Sequence, residues 1–157
     1  MLELLFLLSF TLHNIEEALW LPGWSRHAEK FHPKVGKKEF HFALLIITTF
    51  GYFLTFIFMV NGGSNNVIKY AYFGFVLMMS LNSIFPHLIA TILLKKYAPG
   101  TITGLLLNFP IGIYIVFVQY SESFTNYKLL LGFSIVTVAT VIALKPLFKL
   151  GKIVITD

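Results

Sequence analysis

The chain contains no cysteine. Disulfide bridges, thiolate nucleophiles and cysteine-bound metals are therefore excluded, and nothing in the sequence reports the redox state of its compartment. Charge is nearly as scarce. Asp, Glu, Lys and Arg make up 12% of the 157 residues, about half of the roughly 25% usual in a soluble domain. Ionic groups so few, gathered between long apolar runs, cannot coat a water-facing surface. Also missing is the sustained in-out alternation over segments of ~10 residues that membrane barrel strands require. No low-complexity tract, internal repeat or domain boundary interrupts the sequence, which reads as one transmembrane unit over residues 1–157.

What is present is hydrophobic: 57% of the residues are apolar and 17% aromatic. Five apolar stretches follow one another, at roughly 2–21, 40–60, 67–94, 101–118 and 128–144. About 20 residues rising 1.5 Å each cross a hydrocarbon core ~30 Å thick. The expected fold is therefore all-α, a polytopic membrane bundle of about five helices. The fourth and fifth stretches are slightly short, and the third is long enough to tilt or kink. The first has no basic n-region and no A-x-A-like cleavage site, and His13, Glu16 and Glu17 lie where a signal peptide's apolar region should end. It is expected to stay in the protein.

Charge gives the direction. Arg26, Lys30, Lys34, Lys37 and Lys38 lie between the first two spans, Lys95 and Lys96 between the third and fourth, and Lys145, Lys149 and Lys152 beyond the fifth. The opposite side has only Lys69 and Lys128. The positive-inside rule then places the N-terminus outside and the C-terminus in the cytoplasm, with Trp20 and Trp24 near the inner interface. The net charge of +5 follows from orientation in a membrane, with no need for a nucleic-acid partner.

Against this background the polar residues inside the spans stand out, because each ionisable group there costs about 2.5–3.5 kcal/mol on insertion scales. In the first span, Glu16 and Glu17 fall about 60° and 40° to either side of His13, so all three share a sector. In the third, Pro86 removes the helical donor of the Asn82 carbonyl. Asn82 and His87 lie ~140° apart on a straight helix and converge only if that proline distorts the turn. Ser83, four residues before His87, is the nearer local partner. Asn108 marks the fourth span, and His41 sits at the cytoplasmic mouth of the second. Counting back from the charged loops puts His87 and Asn108 about 12 Å deep and the His13–Glu17 run at roughly 5–16 Å. One polar layer, and one site, is the expectation.

The runs His13-Asn14-Ile15-Glu16-Glu17, Asn82-Ser83-Ile84-Phe85-Pro86-His87 and Tyr97-Ala98-Pro99-Gly100 resemble, in order, the three signatures HXXEE, N-x4-H and YxPG of the HXXEE-motif family of bacterial membrane proteins. The resemblance covers most of the chain. It implies a shared polar site in a bacterial plasma membrane and names no reaction.

The residues themselves suggest an intramembrane metal-dependent hydrolase. His13, Glu17 and His87 would hold a divalent metal, Zn²⁺ by preference and Fe(II) as the other fit to a two-histidine, one-carboxylate set. Glu16 would be the general base and Asn82 the oxyanion donor, with the two glutamates able to exchange roles. The substrate would be a lipid or other apolar molecule, with Lys95 and Lys96 and the start of the fourth helix receiving an anionic headgroup. Ser83, Asn108 and His41 are secondary candidates. A metal-free glutamate-type hydrolase and a proton- or ion-coupled transporter, the latter as an oligomer, use the same residue types.

Overall fold

A computed structural model describes residues 1–28, 34–61, 63–120 and 126–155. Lys30, His32 and Gly62 lie outside the described residues. The chain forms five long helices: α1 Leu2–Trp24 with a 3-10 turn after it, α2 Lys37–Asn61, α3 Asn66–Leu94, α4 Thr101–Val118 and α5 Tyr127–Val154. All five are long and apolar enough to cross a membrane, and no strand occurs among the described residues. The protein is a helical membrane bundle.

Local chemistry sets the helix ends. Asn65 caps α3, its side-chain oxygen accepting from the N–H groups of Val67 (2.9 Å) and Ile68 (3.2 Å). Asn126 caps α5 in the same way, through the Lys128 N–H at 2.9 Å. Each satisfies a donor that the first turn leaves without a helical partner.

Two helices run further than their apolar stretches suggest. α1 continues through Pro22 to Trp24. A proline within a helix leaves the carbonyl four residues back without a donor, here that of Ala18. The His41 ring supplies one, with Nε2 2.8 Å from the Ala18 oxygen. His41 thus ties α2 to α1 and stands outside the polar cluster. α5 passes through Pro146 and ends at Val154. Its extension carries Lys145, Lys149 and Lys152 at spacings of four and three, so these lysines, beyond the apolar stretch that ends near residue 144, form a stripe along one face.

Packing between the helices uses aromatic rings and bare backbone. Phe75 meets Phe6 and Phe10 edge to face, and Tyr72 stacks on Phe58. Each such pair adds about 0.5–1.5 kcal/mol beyond its buried area. α3 and α5 cross where Gly74 faces Gly132. A Cβ at Gly74 would lie 2.6 Å from the Gly132 carbonyl carbon, and one at Gly132 would lie 2.5 Å from the Tyr70 oxygen. Small residues let helices in lipid approach this closely. The outer faces remain apolar, with Leu8, Phe53, Phe56, Phe117 and Ile142 all more than half exposed, as lipid contact requires.

The crossing generates a prediction. Gly132→Val should lower thermal stability in detergent by about 1–3 kcal/mol or abolish folding. Gly23→Ala, where a Cβ meets nothing within 4 Å, should be neutral or stabilising by up to ~1 kcal/mol. Equal melting temperatures for the two variants would show that the α3–α5 approach is not as close as described.

Candidate metal centre

The centre begins with a break in α3. Residues Ser83–Leu88 form a π-helical segment in which Phe85 has left helical geometry (φ −119°, ψ 117°), and the Phe85–Pro86 peptide is cis. A wider turn brings residues five apart onto one face. The Asn82 amide nitrogen accordingly sits 3.0 Å from His87 Nε2, so the convergence expected of Pro86 is realised. The same rotation turns His87 away from Ser83. The Ser83 hydroxyl is buried with no hydrogen-bond partner among the described residues and faces Gly104 of α4, where a Cβ would come within 2.8 Å of it. Ser83 is not the partner of His87.

α1 brings the other half. His87 Nε2 lies 2.9 Å from Glu17 Oε1, and His13 Nε2 lies 3.6 Å from the same oxygen. The Asn82 amide nitrogen is 3.4 Å from His13 Nε2, so one amide bridges both rings. The imidazoles meet nearly at right angles (83°) with centroids 5.2 Å apart. His13 is 0% exposed, His87 5% and Glu17 9%. One donor atom from each of the three lies within 4.8 Å of the others.

Glu16 points elsewhere. Its Oε1 accepts from the Tyr97 hydroxyl and, at 2.6 Å, from the Gly100 N–H. Its Oε2 accepts from the Thr103 N–H at 3.0 Å and the Thr103 hydroxyl at 2.5 Å. Four donors therefore hold the carboxylate over the first turn of α4, where the helix dipole also favours it. This geometry does not leave Glu16 free as a general base. It also fills the helix N-terminus that a lipid phosphate would need, leaving only the lysines on that side to meet an anion.

Thr103 carries the effect into the centre. Because its hydroxyl donates to Glu16, it can only accept from His13 Nδ1, 3.3 Å away. The proton then resides on Nδ1, and His13 Nε2 presents a lone pair towards Glu17 Oε1 and His87. An outer partner that fixes a histidine's tautomer and direction in this way is a recurrent feature of metal sites.

The Tyr97–Gly100 turn joins these parts. Gly100 adopts φ +91°, a conformation that costs other residues dearly. A Cβ there would stand 2.8 Å from the His13 ring and 2.9 Å from the His87 ring. Only glycine supplies the turn, the N–H to Glu16 and the room for both imidazoles. Burial, with the bond to Glu16, pushes the Tyr97 phenol up to about 12, so it donates throughout the ordinary pH range. Tyr97, Gly100 and Thr103 belong to the cluster, and reading the spans for charge overlooks them. Their signal in the sequence is the YxPG run followed by a hydroxyl in the next helical turn.

Asn108 does not reach the centre. It is fully buried, and its backbone carbonyl accepts from Ser80 Oγ at 3.3 Å, which places it at the α3–α4 contact. Lys95 is exposed and closes α3 in the left-handed conformation (φ 50°).

Three separate runs thus converge on one cluster: His13, Glu16 and Glu17 from α1, Asn82 and His87 from α3, and Tyr97 and Gly100 from the turn. A family model described as "Protein of unknown function with HXXEE motif" matches residues 4–115. The chain belongs to this family. The HXXEE sequence is also similar to the uncharacterized protein YrkK of Bacillus subtilis (strain 168), with 44% identity over 147 residues that cover 93% of this chain and 92% of the relative. No solved structure matches.

The two glutamates of the HXXEE run should respond differently to substitution. Their shared character suggests that both tolerate an amide, whereas the hydrogen bonds separate them. Glu16→Gln places an NH₂ against two of the four donors, whichever oxygen it replaces, and should cost on the order of 2–3 kcal/mol in metal-free detergent melts. Glu17→Gln removes a buried charge and should cost less than about 1 kcal/mol. The reverse order of melting temperatures would contradict the assignment of Glu16.

Proposed function

We propose that this HXXEE protein is an intramembrane metal-dependent hydrolase of a bacterial plasma membrane, acting on a lipid or similarly apolar substrate from the cytoplasmic leaflet. The observation that carries this reading is the convergence of two imidazole Nε2 atoms and one carboxylate oxygen within 4.8 Å in an otherwise apolar bundle. At bond lengths of about 2.0–2.2 Å, tetrahedral zinc ligands stand roughly 3.3–3.6 Å apart. The separations of 2.9 Å and 3.6 Å to Glu17 Oε1 bracket that spacing.

The electrostatics favour a cation as well. With His13 protonated on Nδ1, its Nε2 lone pair faces the Glu17 carboxylate at 3.6 Å and the Asn82 amide at 3.4 Å. Two buried acceptors so placed are stabilised by a positive ion. Zn²⁺ suits the set and leaves a position open, and Fe(II) binds the same three residue types. A divalent ion held there supplies Lewis acidity towards a carbonyl or phosphoryl oxygen.

The protein's residues have distinct tasks in this reading. His13, Glu17 and His87 hold the ion. Asn82, already beside both rings, is placed to donate to an oxyanion developing at the same centre. Glu16 is a positioning residue that acts on His13 through Thr103. A metal-free glutamate mechanism would need a carboxylate able to take a proton from water. Glu16, with four hydrogen bonds, is poorly suited to that, which leaves Glu17 as the carboxylate such a mechanism would use.

Metal analysis tests the proposal. Protein purified without chelator should carry about one zinc or iron per chain. Zinc affinity should fall more than about 100-fold in His87→Ala and Glu17→Gln, and about 10–100-fold in Thr103→Val, which removes the hydroxyl that links Glu16 to His13. His41→Ala should bind as the parent does. A parent protein with no saturable zinc binding, or one whose affinity is unchanged in His87→Ala, would overturn the reading.

A further inference from the structure

An open groove of about 570 Å³ runs beside the centre, lined by Glu16, Trp20, Trp24, Lys96, Tyr97, Pro99 and Ile102. Its volume falls within the ~300–1,000 Å³ usual for small-ligand sites. Neither the candidate ligands nor Asn82 line it, so it is a separate surface. It is nevertheless next to the centre, because Gly100, which follows Pro99, lies so close that a Cβ there would run into both imidazole rings.

The lining has a definite chemistry. The protein has two tryptophans, and both face this groove. Indole rings favour the headgroup layer of a bilayer, where apolar body and polar edge are both satisfied. Lys96 is the one cation among the lining residues, and it has no acidic partner among the described residues. The one carboxylate, Glu16, has both oxygens covered by the hydroxyl and N–H donors of Tyr97, Gly100 and Thr103. An anion in the groove therefore meets the charge of Lys96 and a carboxylate whose oxygens are already engaged by four neutral donors.

We propose that this groove binds the headgroup end of an anionic lipid, with its phosphate at Lys96 and its first acyl carbons against Trp20 and Trp24. The site names the substrate class for the hydrolase reading and rests on that reading only for the word substrate, since occupancy is measurable without turnover. Lys95 provides the internal control. It neighbours Lys96, carries the same charge and does not line the groove, so it contributes to any general attraction of the basic loop but not to this site.

The test uses full-length protein in vesicles of a zwitterionic phospholipid containing a minor fraction of lipid brominated along its acyl chains. Bromine quenches tryptophan on contact, and the chain's two tryptophans are both in the groove, so quenching reports occupancy directly. Brominated phosphatidylglycerol should quench at about one-fifth of the mole fraction needed for brominated phosphatidylcholine, the preference expected of one lysine near a lipid surface. Lys96→Gln should abolish the difference, and Lys95→Gln should retain it. Equal quenching by the two lipids would identify the indoles as ordinary interfacial anchors and overturn the proposal. An equal loss of preference in both lysine variants would overturn it too, by assigning the effect to the charge of the loop. The measurement is repeated on Glu17→Gln. Quenching there that matches the parent, together with absent zinc binding in the parent, would sustain the groove and reject the metal.

Discussion

A carboxylate buried among helices in lipid has to be met by donors, and the way Glu16 is met organises the end of the bundle that holds the α3–α4 turn. Its four hydrogen bonds go to Tyr97, Gly100 and Thr103, none of them on its own helix. Together they fix α1 against the α3–α4 turn. That contact sets the height of His13 relative to His87, and it recruits Thr103, whose hydroxyl orients the His13 ring. Remove Glu16, and the HXXEE run, the proline break in α3 and the glycine turn no longer share a common point.

A second constraint is helical periodicity, which the protein overrides twice in adjacent places. α3 widens at Ser83–Leu88 and α4 at Gly104–Asn108, and both segments border the centre. Single π turns often sit at functional sites because they re-aim one side chain without ending the helix. In α3 the effect is plain: Asn82 and His87 would otherwise point in different directions. In α4 the widened turn follows Gly104, whose lack of a side chain admits Ser83. The polar residues thus meet through departures from regular helix.

Much of this was legible in the sequence. Five spans, their limits to within a few residues for α2, α3 and α4, and the grouping of His13, Glu17, Asn82 and His87 follow from hydropathy, depth counting and the position of Pro86. Other features were not. The extensions of α1 and α5 run through Pro22 and Pro146, and whether a helix survives a proline depends on who serves the freed carbonyl; for Ala18 it is His41, 23 residues on. Glu16 and Glu17 are adjacent and chemically identical, so only tertiary contacts separate the carboxylate that anchors the fold from the one that faces the imidazoles. Thr103 and Gly100 carry no charge, so neither hydropathy nor depth counting marks them. Ser83 fits His87 by regular spacing, and Asn108 fits the layer by depth, but neither criterion includes the local unwinding that separates them from the centre.

The central claim, that His13, His87 and Glu17 form one metal-binding centre, is tested most directly by zinc K-edge X-ray absorption on the zinc-loaded protein. The account predicts a shell of nitrogen and oxygen neighbours at about 2.0–2.2 Å with the outer scattering of two imidazoles, reduced to one imidazole in His13→Ala. A spectrum without imidazole scattering, or one that is the same after His13→Ala, would contradict it.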